Sequence, residues 1–184
     1  MKKLKTTELN RKSIQEFKSG EKLPVIVVLD NVRSAHNAGS IFRTADAFMV
    51  QKIILCGITP LPPNRELLKT ALGSTESIDW IYYDDINQAL NELKKQGYFI
   101  CGIEQTTKSI ALSDFTIEKN KSFALVFGNE ITGISDSILP LLDYCIEIPQ
   151  FGTKHSMNVS VTAGIILYNF SNNLNRHKKS LQKF

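Results

Sequence analysis

Three short stretches of this chain concentrate the side chains that could do chemistry: Asn37-Ala-Gly-Ser-Ile-Phe-Arg43, Phe127-Gly-Asn-Glu-Ile-Thr-Gly133 and Ser156-Met-Asn-Val-Ser160. The third is a cluster of small hydrogen-bonding side chains at the mouth of an expected helix, VTAGIILYNF. Helix N-termini leave backbone N–H groups unpaired, and Ser and Asn are the residue types that serve them. The other two stretches also fall at strand-to-helix junctions. In an α/β sheet such junctions lie at the carboxyl ends of strands, where ligands bind. Three in one chain suggest a single assembled site.

Each candidate also has a plainer reading. Arg43 could be a surface charge on a helix. Glu130 could cap a helix start. Asn158 and Ser160 could be N-cap residues, which does not exclude a ligand role. His36 and His155 flank the motifs and read as loop residues, with His155 the better outside candidate for a general base.

Several common chemistries lack their signature. No G-x-G-x-x-G follows the first strand, and no G-x-x-x-x-G-K-[ST], G-x-S-x-G or H-E-x-x-H occurs. Cys56, Cys101 and Cys145 lie far apart inside apolar runs, without metal-ligand spacing, and read as buried free thiols. No metal is expected.

The elements that must position these residues alternate. PVIVVLD is a continuous apolar run with β-branched residues, as in a strand covered on both faces. KIILCGI, IDWIYYD, YFICGIE, SFALVFG and CIEIPQ read as further strands, and Trp80, Tyr82 and Tyr83 as strand packing. Between them NAGSIFRTADAF, ELLKTALGS and DINQALNELKKQGY read as helices, the last with an acidic start, lysines near its end and a terminal glycine. A polar-faced helix is expected over residues 7–18. The pattern predicts an α/β fold with a mainly parallel sheet flanked by helices.

The chain has 184 residues with 42% hydrophobic and 22% charged side chains, enough for one core. Its net charge of +4 permits a nucleic-acid partner. Basic residues gather in MKKLK and RHKKSLQK. MKKLK precedes polar sequence rather than an apolar core, and no apolar run is long enough to cross a bilayer. A soluble, cytoplasmic protein without membrane partners is therefore expected. The division expected is a short helical segment at 1–20, one domain at 21–172 and a basic tail at 173–184.

The motifs resemble those of the SpoU/TrmH family of SPOUT-class RNA ribose 2′-O-methyltransferases. Asn37, Gly39 and Arg43 match the family's first motif. Phe127, Gly128, Glu130 and Gly133 match its F-G-x-E-x-x-G. Ile148, Pro149, Ser156, Asn158, Val159 and Ser160 match its I-P and S-L-N-V-S, with Met157 in place of Leu. KTALGS resembles a small-residue segment between the first two motifs. The resemblance runs from about Val25 to Tyr168.

It implies a parallel sheet whose C-terminal portion forms a deep trefoil knot, S-adenosylmethionine bound in the knot, and a homodimer acting on tRNA or rRNA. It makes Arg43 the catalytic arginine, oriented with the substrate by Asn37, Glu130, Ser156 and Asn158. Backbone around Gly128, Ile148 and Met157 would hold the cofactor, with Asn129, Gly152 and the segment containing Ile103, Glu104 and Thr106 contributing. A guanidinium hardly loses a proton, so an electrostatic role suits Arg43 better than a base. A catalytically silent RNA-binding or ribosome-assembly factor on the same fold is the competing reading. It would be marked by loss of Arg43, Glu130 or Asn158, and all are present.

Overall fold

A computed structural model describes residues 1–174. Of the basic tail expected at 173–184, residues 175–184 lie outside the described residues. Helix α1 (Ile14–Ser19) precedes strand β1 (Leu23–Asp30), helix α2 (Ala35–Ala47) and strand β2 (Val50–Cys56). Helices α3 (Arg65–Ala71) and α4 (Ser74–Ser77) lead to β3 (Trp80–Tyr83), α5 (Ile86–Lys95) and β4 (Tyr98–Ile103). Then come β5 (Ile110–Ala111), β6 (Ser122–Phe127), β7 (Tyr144–Glu147) and α6 (Val159–Leu174), with a 3-10 turn at Asp136–Leu141 before β7.

The strands form one sheet in the order β3-β2-β1-β6-β4-β7-β5, and every named pairing is parallel. Side chains alternate across it, as a period of two requires. Val25, Val27 and Leu29 of β1 join Phe123, Leu125 and Phe127 of β6 in a core with α2, α3 and α6. Ile26, Val28, Ala124 and Val126 face the other way, onto α5 and the 3-10 turn. Both faces are covered, which is why the central strands read as unbroken apolar runs. Phe115, Phe123 and Phe170 pack ring against ring on the α6 side.

Some expectations need correction. The helix expected over 7–18 is shorter: Asn10 takes a positive φ of 43°, and a capping box of Ser13 and Glu16 starts α1 only at Ile14. Phe17 of α1 is buried in the main core. Helix α2 begins at Ala35 because Ser34 caps it, accepting from the Asn37 N–H. His36 is therefore in the first helical turn, not in a loop. Strand β3 is an edge strand and leaves Trp80, Ile81 and Tyr82 exposed rather than packed. The two-residue β5 at the opposite edge carries too little pattern to read. Cys56 and Cys101 are buried free thiols and Cys145 is half-buried; burial pushes the Cys56 thiol up to about 12.

Candidate active site

The carboxyl ends of β1, β4, β6 and β7 open onto loops that meet. The loop after β6, residues 128–135, is folded back on itself by paired backbone bonds between Asn129 and Gly133, each 2.9 Å. Gly128 permits this fold. A Cβ there would sit 2.2 Å from the Gly133 carbonyl carbon and 2.3 Å from the Ile134 nitrogen. The glycine is thus required by the loop's own packing.

Side chains from neighbouring strands brace this loop. Asp30, fully buried at the end of β1, accepts from the Ser135 N–H at 2.7 Å and the Ser135 hydroxyl at 3.1 Å. Glu104, after β4, accepts from the Ile134 N–H at 3.1 Å and the Gln105 N–H at 2.8 Å. The Asn129 amide donates to the Asn31 carbonyl at 2.8 Å, and its oxygen accepts from the Ile131 N–H at 2.8 Å.

A chain of side-chain bonds links the three polar stretches. The Asn158 Oδ1 caps α6, accepting from the Ser160 N–H at 2.8 Å and its hydroxyl at 2.6 Å. That leaves its Nδ2 to donate to Asn37 Oδ1 at 3.0 Å. Asn37 Nδ2 then donates to Glu130 Oε1 at 2.8 Å. Both amide orientations follow from the ends of the chain, because backbone N–H groups only donate and a carboxylate only accepts. Glu130 also accepts from the N–H groups of Arg33 at 2.9 Å and Ser34 at 3.1 Å, ahead of α2. It does cap a helix start, but of the first motif's helix rather than one of its own. Partial burial pushes its carboxyl up, and the bonds from Asn37, Arg33 and Ser34 outweigh this and hold it below the ordinary range.

Beside this chain lies a cleft of about 610 Å³, within the range of small-molecule sites. Ile103, Glu104, Thr106, Gly128, Asn129, Glu130, Ile148, Ser156, Met157 and Asn158 all line it. Phe127, Ile134, Leu139 and Ile146 add apolar surface. Glu104, Glu130, Asp136 and Glu147 contribute carboxyl groups, and no Lys, Arg or His is among the lining residues. Such a cleft favours a ligand with a positive charge and some apolar surface.

Two expected residues stand apart. Gly152 does not line the cleft, and an added Cβ there would meet nothing within 4 Å, so no close approach by other residues requires a glycine. Arg43 is exposed on α2, outside the lining residues, and no hydrogen bond or ion pair holds it among the described residues. Gly39, by contrast, is explained by packing, since a Cβ would lie 2.2 Å from the Leu67 carbonyl oxygen where α3 crosses α2.

Sequence reasoning missed Asp30, Asn31 and Gln105. A charged residue closing an apolar strand was the available signal for Asp30. Asn31 turns the chain with φ of 54°, and Gln105 donates to the His155 carbonyl at 3.0 Å. His36 sits 2.8 Å from Glu66, which also pairs with Lys69. Among the described residues no group of three or more His, Cys, Asp or Glu is placed to hold a metal ion.

Residues 24–168 match the profile of the SpoU rRNA methylase family. The chain belongs to that family. A 23S rRNA (guanosine-2′-O-)-methyltransferase, RlmB, from Neisseria meningitidis is 34% identical over 144 residues, covering 78% of this chain and 56% of the relative. The crystal structure of a TrmH/SpoU tRNA modifying enzyme from A. aeolicus superposes with a TM-score of 0.78 at 30% identity, covering 91% of this chain and 83% of that one. An AdoMet-bound rRNA methyltransferase from Sinorhizobium meliloti gives 0.75 at 28% identity, over 85% of this chain and 57% of its own. The chain spans between 56% and 61% of the length of the curated relatives it matches.

Proposed function

We propose that this protein is an S-adenosylmethionine-dependent RNA methyltransferase acting on a ribose 2′-hydroxyl of tRNA or rRNA. The observation that carries the reading is the bonded chain Asn158–Asn37–Glu130 beside the acidic, partly apolar cleft. The cleft fits the cofactor: carboxyl groups suit its sulfonium and amino charges, and Ile103, Ile148 and Met157 offer surface for an adenine. S-adenosylmethionine supplies an electrophilic methyl group.

The chain's own residues have separate tasks in this proposal. Glu104 braces the loop around Gly128, and Asn129 fixes its turn. Glu130 already accepts three hydrogen bonds and is held below the ordinary carboxyl range, so it makes a poor base. Its task is to position Asn37 and the start of α2. Arg43 holds an RNA phosphate through its guanidinium, drawing the ribose to the cleft. The hydroxyl proton leaves to the adjacent phosphate or to water. Alignment of acceptor and methyl group carries most of the acceleration.

Arg43 stands off the cleft of its own protomer, and this favours a homodimer. Val161, Ile165 and Tyr168 recur at helical spacing along α6, which packs on α2, and are 53%, 38% and 61% exposed. Pairing two copies over this face would bring Arg43 of one to the cleft of the other. The family's C-terminal knot, a catalytic domain over 21–172 with short flanking segments, and a cytoplasmic location belong to the same proposal. No helix among the described residues is long and apolar enough to cross a membrane.

The test is incubation with methyl-labelled S-adenosylmethionine and bulk tRNA or bulk rRNA, beside Arg43→Ala. Label on ribose, lowered about a hundredfold or more in the variant, is the expected result. Cofactor binding without transfer to either RNA would favour the silent factor. Mixing Arg43→Ala with Asn158→Ala protomers would restore part of the activity if sites are shared between copies.

A further inference from the structure

Phe151 is 97% exposed, the most exposed aromatic side chain among the described residues. It follows Gln150, which lines the cleft, on the loop joining β7 to α6. Lys154 and His155, close behind it, are exposed too, and among the described residues no ion pair or hydrogen bond holds the Lys154 ammonium. A Cβ added at Gly152, between them, would meet no described residue beyond its chain neighbours within 4 Å. Yet the loop is anchored on its far side. Gln105 holds the His155 carbonyl at 3.0 Å, and Asn158 holds Asn37 at 3.0 Å. The result is an aromatic ring and a cation presented at the rim of a fixed cleft.

Charge sorts the possible occupants. The cleft lining carries four carboxyl groups, those of Glu104, Glu130, Asp136 and Glu147, and no basic side chain, so it repels a polyanion. Lys154 on the rim attracts one. An exposed ring with a neighbouring ammonium is the combination that holds unpaired nucleotides: the ring takes a base face and the ammonium a phosphate. A base inside a duplex cannot offer its face.

We propose that Phe151 and Lys154 form a stacking and phosphate subsite for an unpaired nucleotide next to the acceptor ribose. This rests on the RNA methyltransferase reading and narrows it: the acceptor lies in a single-stranded or loop region, with a neighbouring base swung out onto Phe151.

The experiment compares wild type, Phe151→Ala, Phe151→Trp and Lys154→Ala. It measures S-adenosylmethionine binding by calorimetry, mass by sedimentation, and methyl transfer to bulk tRNA and bulk rRNA. Phe151→Ala is expected to raise the RNA KM about tenfold, with cofactor affinity within about twofold and mass unchanged. Phe151→Trp restores the KM. Lys154→Ala reduces the salt slope of binding to a short oligouridylate by about 0.7.

An unchanged RNA KM in Phe151→Ala overturns the subsite alone. So does a fall in mass, which would assign the ring to a protein interface, or a matching loss of cofactor affinity, which would assign it to the cleft. Wild type that binds cofactor but methylates neither RNA removes the parent reading and this one with it.

Discussion

The loops after β6 and after β7 both line one cleft and are built on different plans. Residues 128–135 are cross-braced by Asp30, Asn31 and Glu104 and leave no room for a Cβ at Gly128. Residues 148–158 are held by Gln105 and Asn37 near their far end, and a Cβ added at Gly152 would meet no described residue beyond its chain neighbours within 4 Å. A wall meant to meet the same small molecule every turnover gains from being fixed beforehand. A wall that meets a large and variable partner gains from side chains that reach outward. In the proposed function the first loop is the fixed cofactor wall, the ends of the second loop at Ile148 and Met157 complete it, and only the second loop's tip, at Phe151 and Lys154, is left for the RNA.

The same substitution in both loops breaks or upholds that contrast most sharply. Gly128→Ala forces backbone apart and should cost about 3 kcal/mol, with cofactor binding lost in calorimetry even where the protein stays folded. Retained binding would show that the loop is softer than its bracing implies. Asp30→Ala leaves the Ser135 N–H without its buried partner, and a stability loss of about 2 kcal/mol by denaturant unfolding is expected.

Glu130→Gln acts on the junction between the walls. The wild-type carboxyl is held below its ordinary value of 4.5 by the bonds it accepts, which outweigh the opposing effect of burial. Its contribution to stability is therefore complete above that value and fades as pH falls through the lower folded one. Melting temperatures followed from roughly pH 6 down to pH 3 should drop less steeply in the variant. Parallel curves would mean that the carboxyl's bonds do not matter for folding. At the small end, Gly152→Ala should stay within about 0.5 kcal/mol of wild type and keep cofactor affinity; a large loss would place that turn in the cofactor wall after all.

What the sequence made legible was period and type. The unbroken run of β1 announced a strand covered on both faces, and the Gly97 stop signalled the end of α5. Asn37, Glu130 and Asn158 stood out because their stretches fall at strand ends, where ligands bind in such sheets, and match the motifs of one family. What stayed hidden was partnership across the fold. Gly128 and Gly39 read as glycines that admit a ligand or belong to a motif, while the contacts that exclude a side chain come from Gly133 and Leu67, which periodicity does not locate. β3 has the composition of an interior strand, and only the strand order reveals that its outer flank is bare. Arg43 sits in the expected helix but off its own cleft, a fact set by how that helix packs.

Asn37 and Asn158 are separated by 121 positions, and β1 waits for β6, about a hundred residues later in the chain, to gain its second neighbour. Contacts so distant in sequence are slow to form because the intervening chain must be ordered first. During synthesis the bonded chain between the motifs can close only after Asn158 has emerged. A product cut short before that point would carry the first two motifs but only part of the cleft wall, so the last of the three polar stretches to emerge is the one that locks the other two together.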